Sequence, residues 1–322
     1  MAFHLNEFIY ALPKIPLRTN FVKIGNGGVD IFLFLSGYCL YLSLNRNCNV
    51  CNFFRKRFKR VVVVYLIVAI PFFIYKEVFE MHTPSTVHFL FNLSGLSFWL
   101  DHVLNVWFVH AIILFYILTI PFFNLVKKGI GFGLALLVVL FVANFWAHEH
   151  IPSFYNQGSI AYIRILPYVF GMVMADANER YHLQERFQGM KQYVSIIFTI
   201  ILIGYFVIYL AIDVEGMAFK RFHSMGMWLS YLTIIFPILS LFLLVSKLCS
   251  KVKWLSSFLV TVGKVSLEFY MIHIMIIHIF QHQGLHTHIG SWCWLVVPVL
   301  TLPLALASNK LSEMISNKLI SK

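Results

Sequence analysis

Nine apolar runs of 16 or more residues follow one another along the chain, at about 29–44, 61–79, 103–123, 129–147, 160–176, 192–212, 226–248, 257–280 and 291–308. Each is close to the roughly 20 residues that a helix needs to cross about 30 Å of hydrocarbon. Inside that layer every backbone N–H and C=O must find its partner within the protein, which a helix achieves alone and a lone strand does not. Membrane-spanning strands would read instead as alternating segments of about ten residues. The expected fold is therefore all-α, a polytopic transmembrane helical bundle. Of 322 residues, 60% are hydrophobic and 12% charged, with a mean hydropathy of +0.79; an ordinary soluble domain is excluded. No polar linker interrupts the series, so residues 1–322 read as one integral-membrane domain. Residues 85–100 (STVHFLFNLSGLSFWL) are apolar too, but Ser, Asn and Gly break them. They read as an interfacial or re-entrant segment.

The net charge of +12 might suggest nucleic acid, yet the basic residues collect between the apolar runs, where topology explains them. Alternate connections hold seventeen Lys and Arg on one side against six on the other. Because basic residues are retained on the cytoplasmic side, the C-terminus is placed in the cytoplasm. Nine spans then leave Met1 outside. The simplest repair is a further span upstream, of which residues 2–12 (AFHLNEFIYAL) would be the outer end. The first apolar stretch lacks the basic n-region and small-residue cleavage site of a secretory signal. The five cysteines are scattered; Cys48 and Cys51 form one C-x-x-C with no second pair or nearby histidine, a weak zinc or redox signal.

Polar groups inside hydrocarbon are costly, at least about 2.5 kcal/mol for a charge at mid-membrane on insertion scales, so each is a candidate for function. In GNGGVDIFLFLSGYCL (25–40), Asp30 follows a glycine-rich turn, and Ser36 and Gly37 make a small notch about two turns further on. A helix cap with a packing groove accounts for these residues as well as a cavity does. In NFFRKRFKRVVVVYL, five basic residues precede the second span, and Arg57 and Arg60 share a face at i and i+3. Anionic membrane lipid is one partner for them; the phosphates of a nucleotide-bearing thioester are the other. His110 stands in NVWFVHAIILFYILTIPFF one turn from Trp107, as a structural histidine or a pore-lining base. Arg164 lies in AYIRILPYVFGMVMAD, either snorkelling outward or lining a polar cavity. VGKVSLEFYMIHIMIIHIF carries Lys264 and Glu268 at the i, i+4 spacing of a helix ion pair, and His273 about 140° around from Glu268. Beyond it stand His278, His282, His286 and His288, but Gly284 interrupts the helix and no carboxylate is near in sequence. No metal is assigned.

Five of these segments, GGVDIFLFLSGYCL, FFRKRFKRVVVVYL, WFVHAIILFYIL, RILPYVFGMVM and GKVSLEFYMIH, occur in an order that resembles the acyltransferase 3 family, membrane enzymes that O-acylate the sugars of surface polysaccharides. The resemblance covers about residues 25–275. It implies a ten-span bundle in a bacterial inner membrane, an acyl-CoA donor entering from the cytoplasm, and a glycan or lipid-linked sugar as acceptor. The activity implied is transfer of a group other than amino-acyl, with acetyl the expected one and no bound cofactor. The family's catalytic histidine lies near the outer end of its first span, about two dozen residues before GVDIF. His4 stands 24 residues before Gly28 and takes that role. Arg57 and Arg60 become the donor-binding residues. Asp30 and Ser36 match the motif of the second helix, and with His110, Arg164, Glu268 and His273 they are expected to line or support the cavity. Two departures stand out: Ile112 replaces a glutamate that many members carry, and no Arg or Lys precedes His4.

The chemistry is self-consistent. A neutral imidazole with pKa near 6.5 can take the proton of a sugar hydroxyl as its oxygen attacks a thioester carbonyl. Alternatively the histidine accepts the acyl group and passes it on. Arg164, His110 or backbone amides are candidates for stabilising the oxyanion. The competing readings are a glycan transporter or flippase, disfavoured by the lack of internal repeats, and a truncated, inactive copy.

Overall fold

The computed structural model describes residues 27–81, 84–101, 106–188 and 251–320, with a few helical positions between 197 and 249. His4 and most of the runs expected at 192–212 and 226–248 lie outside the described residues. Among the described residues the structure is helical, with no strand. Six helices are long and apolar enough to cross a membrane, and a bent pair makes a seventh. They coincide with the other seven apolar runs.

The described helices fall into two compact units. Among the described residues, the first comprises those within 49–117 and 259–320, the second those within 27–48 and 118–258. In the second, α1 (Gly27–Arg46) lies against a later helix, Ile165–Tyr181, which in turn packs on Ile130–His150. Numbered in chain order, the intervening helices are α2 (Val50–Tyr75), α3 (Thr86–Leu93), α4 (Leu96–Asp101), α5 (Trp107–Val126), α6 (Ile130–His150) and α7 (Pro152–Tyr162), which makes Ile165–Tyr181 α8. A Cβ at Gly37 would strike the Tyr168 carbonyl, and one at Gly171 the Phe34 carbonyl. The pair α1 and α8 therefore approach through reciprocal glycines, the close packing on which helices in lipid depend. The notch at Ser36 and Gly37 is thus a packing groove, and Ser36 beside it is half-buried. Toward the C-terminal end of α1, the Tyr41 hydroxyl donates to Asp176 at 2.5 Å, and Arg180 Nε holds the same carboxylate at 2.8 Å. The span that includes α8 is 67% buried and α6 only 11%, so within this unit α8 is the centre and α6 turns Leu134, Val138 and Val142 outward.

In the first unit, α2 starts at Val50, before the apolar run, because Asn49 caps it by accepting from the Asn52 N–H at 2.9 Å. The basic cluster is therefore helical and continuous with the span. At its other end α2 runs into a π-helical turn, Lys76–Glu80, which aims Glu77 at His88 and Glu80 at His278. The apolar segment 85–100 forms α3 and α4, both too short to cross a membrane, separated by Gly95 at φ +82°. After α9 (Leu183–Gln188) in the other unit, the run at 257–280 is not one straight helix. It is α10 (Lys253–Lys264) and α11 (Ser266–His282), bent by 59°. The Ser266 hydroxyl donates to the Gly263 carbonyl at 2.9 Å, satisfying an acceptor that the break releases. A short α12 (Leu285–Ile289) leads to α13 (Cys293–Ile320), and α2, α11 and α13 pack on one another.

Candidate functional site

The face that α2 turns toward α11 and α13 is set by helical spacing. Asn52, Arg55, Lys56, Lys59, Arg60 and Val64 recur at three and four residues and form one wall of a cavity of about 480 Å³. Lys264, from the bend, and Glu268, in the first turn of α11, close its side. The opposite wall is α13, where Asn309, Ser312, Glu313, Ser316 and Asn317 form a polar stripe on a largely apolar helix. Four cations within two turns of one helix face, joined by Lys264, and the N-terminal end of the α2 dipole all favour an anion here. The volume is that of a site for a small molecule.

The bend reshapes one sequence expectation. Lys264 and Glu268 do not form the i, i+4 pair of a continuous helix, because the chain turns at Val265 between them. The carboxylate of Glu268 instead accepts from Asn309 Nδ2 at 2.9 Å, and Arg60 Nη2 reaches the Lys264 carbonyl at 3.5 Å. Arg60 lines the cavity, whereas Arg57 is half-buried just off its face. Both guanidinium groups lie within Coulombic range of the buried Tyr116. The α13 stripe was missed in the sequence, although its 309, 312, 313, 316, 317 spacing is the period of one helix face.

His110 sits in a separate setting in the same unit. Its ring stacks on Phe98, meets Tyr65 edge-on, and fills the space that a side chain at Gly95 would need. The Tyr65 hydroxyl gives its proton to the Leu93 carbonyl at 2.8 Å, so it accepts from His110 Nε2–H at 3.3 Å. His110 is thereby held as the Nε2–H tautomer in a contact between α2, α3 and α5, and the structural reading of this histidine is the one its surroundings favour. His273 is buried on α11, donating from Nδ1 to the Phe269 carbonyl at 2.8 Å. His278 and His282 also take protein partners, Glu80 at 2.8 Å and the Tyr75 hydroxyl at 2.9 Å.

In the second unit the structure joins two residues that the sequence offered separately. Arg164 Nε lies 3.3 Å from Asp30 Oδ1, with both side chains almost wholly buried, and its Nη1 donates to the Ile160 carbonyl at 2.9 Å. Arg164 therefore neither snorkels outward nor presents an unoccupied guanidinium; it ties the N-terminal end of α1 to the start of α8.

The α2 wall of the basic cavity, the α1 and α8 crossing and the bend between α10 and α11 fall in the segments that carry the resemblance. The family model described as an acyltransferase domain matches residues 3–308, nearly the whole chain. The chain belongs to the acyltransferase 3 family. No curated protein and no solved structure matches it. Membership makes this an acyltransferase, and its apolar helices make it an integral membrane protein. The family match also takes in His4, although that residue is outside the described structure.

Proposed function

We propose that this acyltransferase moves an acyl group, acetyl being the expected one, from a cytoplasmic acyl-CoA to a hydroxyl of a surface polysaccharide or lipid-linked sugar. The observation that carries the reading is the cavity of the first unit: a small-molecule volume in an apolar protein, walled on one side by Arg55, Lys56, Lys59 and Arg60. The phosphates of a coenzyme A thioester match that wall, and the guanidinium of Arg60 can grip a phosphate with two parallel N–H donors. The excess of basic residues in the same set of connections supports placing this end in the cytoplasm.

At the reacting end, His4 takes the proton of the acceptor hydroxyl as its oxygen bonds to the thioester carbonyl carbon. The tetrahedral intermediate then collapses, the C–S bond breaks, and the leaving thiolate recovers the proton from the imidazolium. In the two-step variant the imidazole nitrogen accepts the acyl group first, and the acceptor oxygen displaces it. Neither route requires a bound cofactor.

The broken α10 and α11 pair favours a second reading, since transporters also build substrate sites from discontinuous helices. Donor kinetics separate the two. Arg60→Ala is expected to raise the KM for acetyl-CoA about tenfold with little change in kcat, as loss of one charge-assisted contact to the donor should. Arg57→Ala, off the cavity wall, should raise it less. A KM for acetyl-CoA that does not move in Arg60→Ala removes the cavity from donor binding.

A further inference from the structure

The cavity is graded from mouth to floor. Arg55, Lys56, Arg60 and Lys264 are exposed at the mouth, whereas Val64, Glu268 and Ser312 are buried at the floor. Glu268 is only 2% exposed. One of its oxygens accepts from Asn309; the other takes no hydrogen bond or ion pair among the described residues. That oxygen is not among the side-chain atoms sealed from solvent without a partner, so it is open to the cavity, and a carboxylate oxygen there accepts from a donor. A ligand that displaces water from the floor keeps this oxygen satisfied only by bringing an N–H or O–H. A phosphate brings neither, and its charge is repelled.

Resting on the acyl-CoA reading of this cavity, we infer that Glu268 binds the pantetheine arm of the donor through one of its amide N–H or hydroxyl groups, while the phosphates stay with the cations at the mouth. The arm is the part of coenzyme A that suits this floor. It is thin, it alternates hydrogen-bond donors with methylenes, and Val64 offers an apolar surface beside the carboxylate. The contact also sets how deeply the thioester sits, so Glu268 acts as a specificity and positioning residue for the donor, with Asn309 holding its other oxygen.

The test is equilibrium binding of three probes to the full chain in lipid nanodiscs: coenzyme A, 4′-phosphopantetheine, and adenosine 3′,5′-bisphosphate, which lacks the arm. Glu268→Gln keeps the shape but sets an N–H₂ against the ligand's own donor. It is expected to weaken 4′-phosphopantetheine and coenzyme A about tenfold, the scale of a hydrogen bond to a charged group, and to leave the bisphosphate unchanged. The unchanged probe is also the evidence that the variant is folded. Glu268→Asp, which withdraws the carboxylate by one methylene, should weaken the same two probes, and Arg60→Ala should weaken the bisphosphate and coenzyme A together. Undiminished 4′-phosphopantetheine binding in Glu268→Gln, or an equal loss for the bisphosphate, overturns the assignment of Glu268 while leaving the donor site in place. A wild-type protein that binds none of the three overturns the acyl-CoA reading itself.

Discussion

Replacing His4 by alanine is expected to lower acyl transfer from labelled acetyl-CoA by about 10² to 10⁴-fold, the usual contribution of a positioned general base. A sugar hydroxyl is a poor nucleophile until its proton has somewhere to go. In the family resemblance His4 is the histidine in position to receive it, 24 residues before Gly28. The loss should fall on kcat, with the protein still reaching the membrane and still binding coenzyme A, because the basic cavity proposed for the donor is built from α2, α11 and α13. The sign of the pH dependence follows. A base works as neutral imidazole, so the wild-type rate should decline as falling pH protonates it. Trapping separates the two routes: a label retained on the wild-type chain, released by hydroxylamine and lost in His4→Ala with the cysteines unchanged, marks an acyl-histidine, and a label that never resides on the chain favours direct transfer. Full activity in His4→Ala would take the residue out of the reaction.

The second large effect concerns stability. Arg164→Ala leaves Asp30 as an uncompensated carboxylate between α1 and α8, and is expected to destabilise the protein by about 3–5 kcal/mol. Removing both charges should be far milder, since a buried ion pair and an apolar pair of similar volume are often close in free energy. The double variant Asp30→Leu with Arg164→Leu should therefore recover most of the loss in thermal unfolding of the purified protein. Its activity carries a separate message. A stable but inactive double variant assigns the pair to the reaction, for example in stabilising the oxyanion, whereas a stable and active one assigns it to holding the two helices together. An Arg164→Ala protein as stable as the wild type contradicts the structural role altogether.

Much of the architecture was legible because hydrocarbon imposes so strict a pattern. The seven apolar runs among the described residues each became a helix or a bent pair, and the broken segment at 85–100 formed two short helices. Pairings across the chain were not legible. Asp30 and Arg164 are 134 positions apart, and nothing local to either names the other. The i, i+4 spacing of Lys264 and Glu268 misled for the opposite reason: it assumes a continuous helix, and Gly263 with Ser266 ends one there. The basic wall on α2 was visible as a charge cluster, but helical phase places Arg60 on the cavity and turns Arg57 aside. The α13 stripe went unread because Asn and Ser near the end of an apolar run look like a solvated tail, until another helix faces them.

The central claim is that acyl groups pass from coenzyme A bound at the basic cavity to an acceptor hydroxyl. It is tested most directly by sidedness in sealed membrane vesicles containing the protein. With the cytoplasmic face outward, externally added labelled acetyl-CoA should transfer its acetyl group to a membrane glycan with saturable kinetics. With that face inward, the same addition should give none. Glycan that crosses the membrane unmodified, with no label transferred in either orientation, would contradict the account and establish the transporter reading in its place.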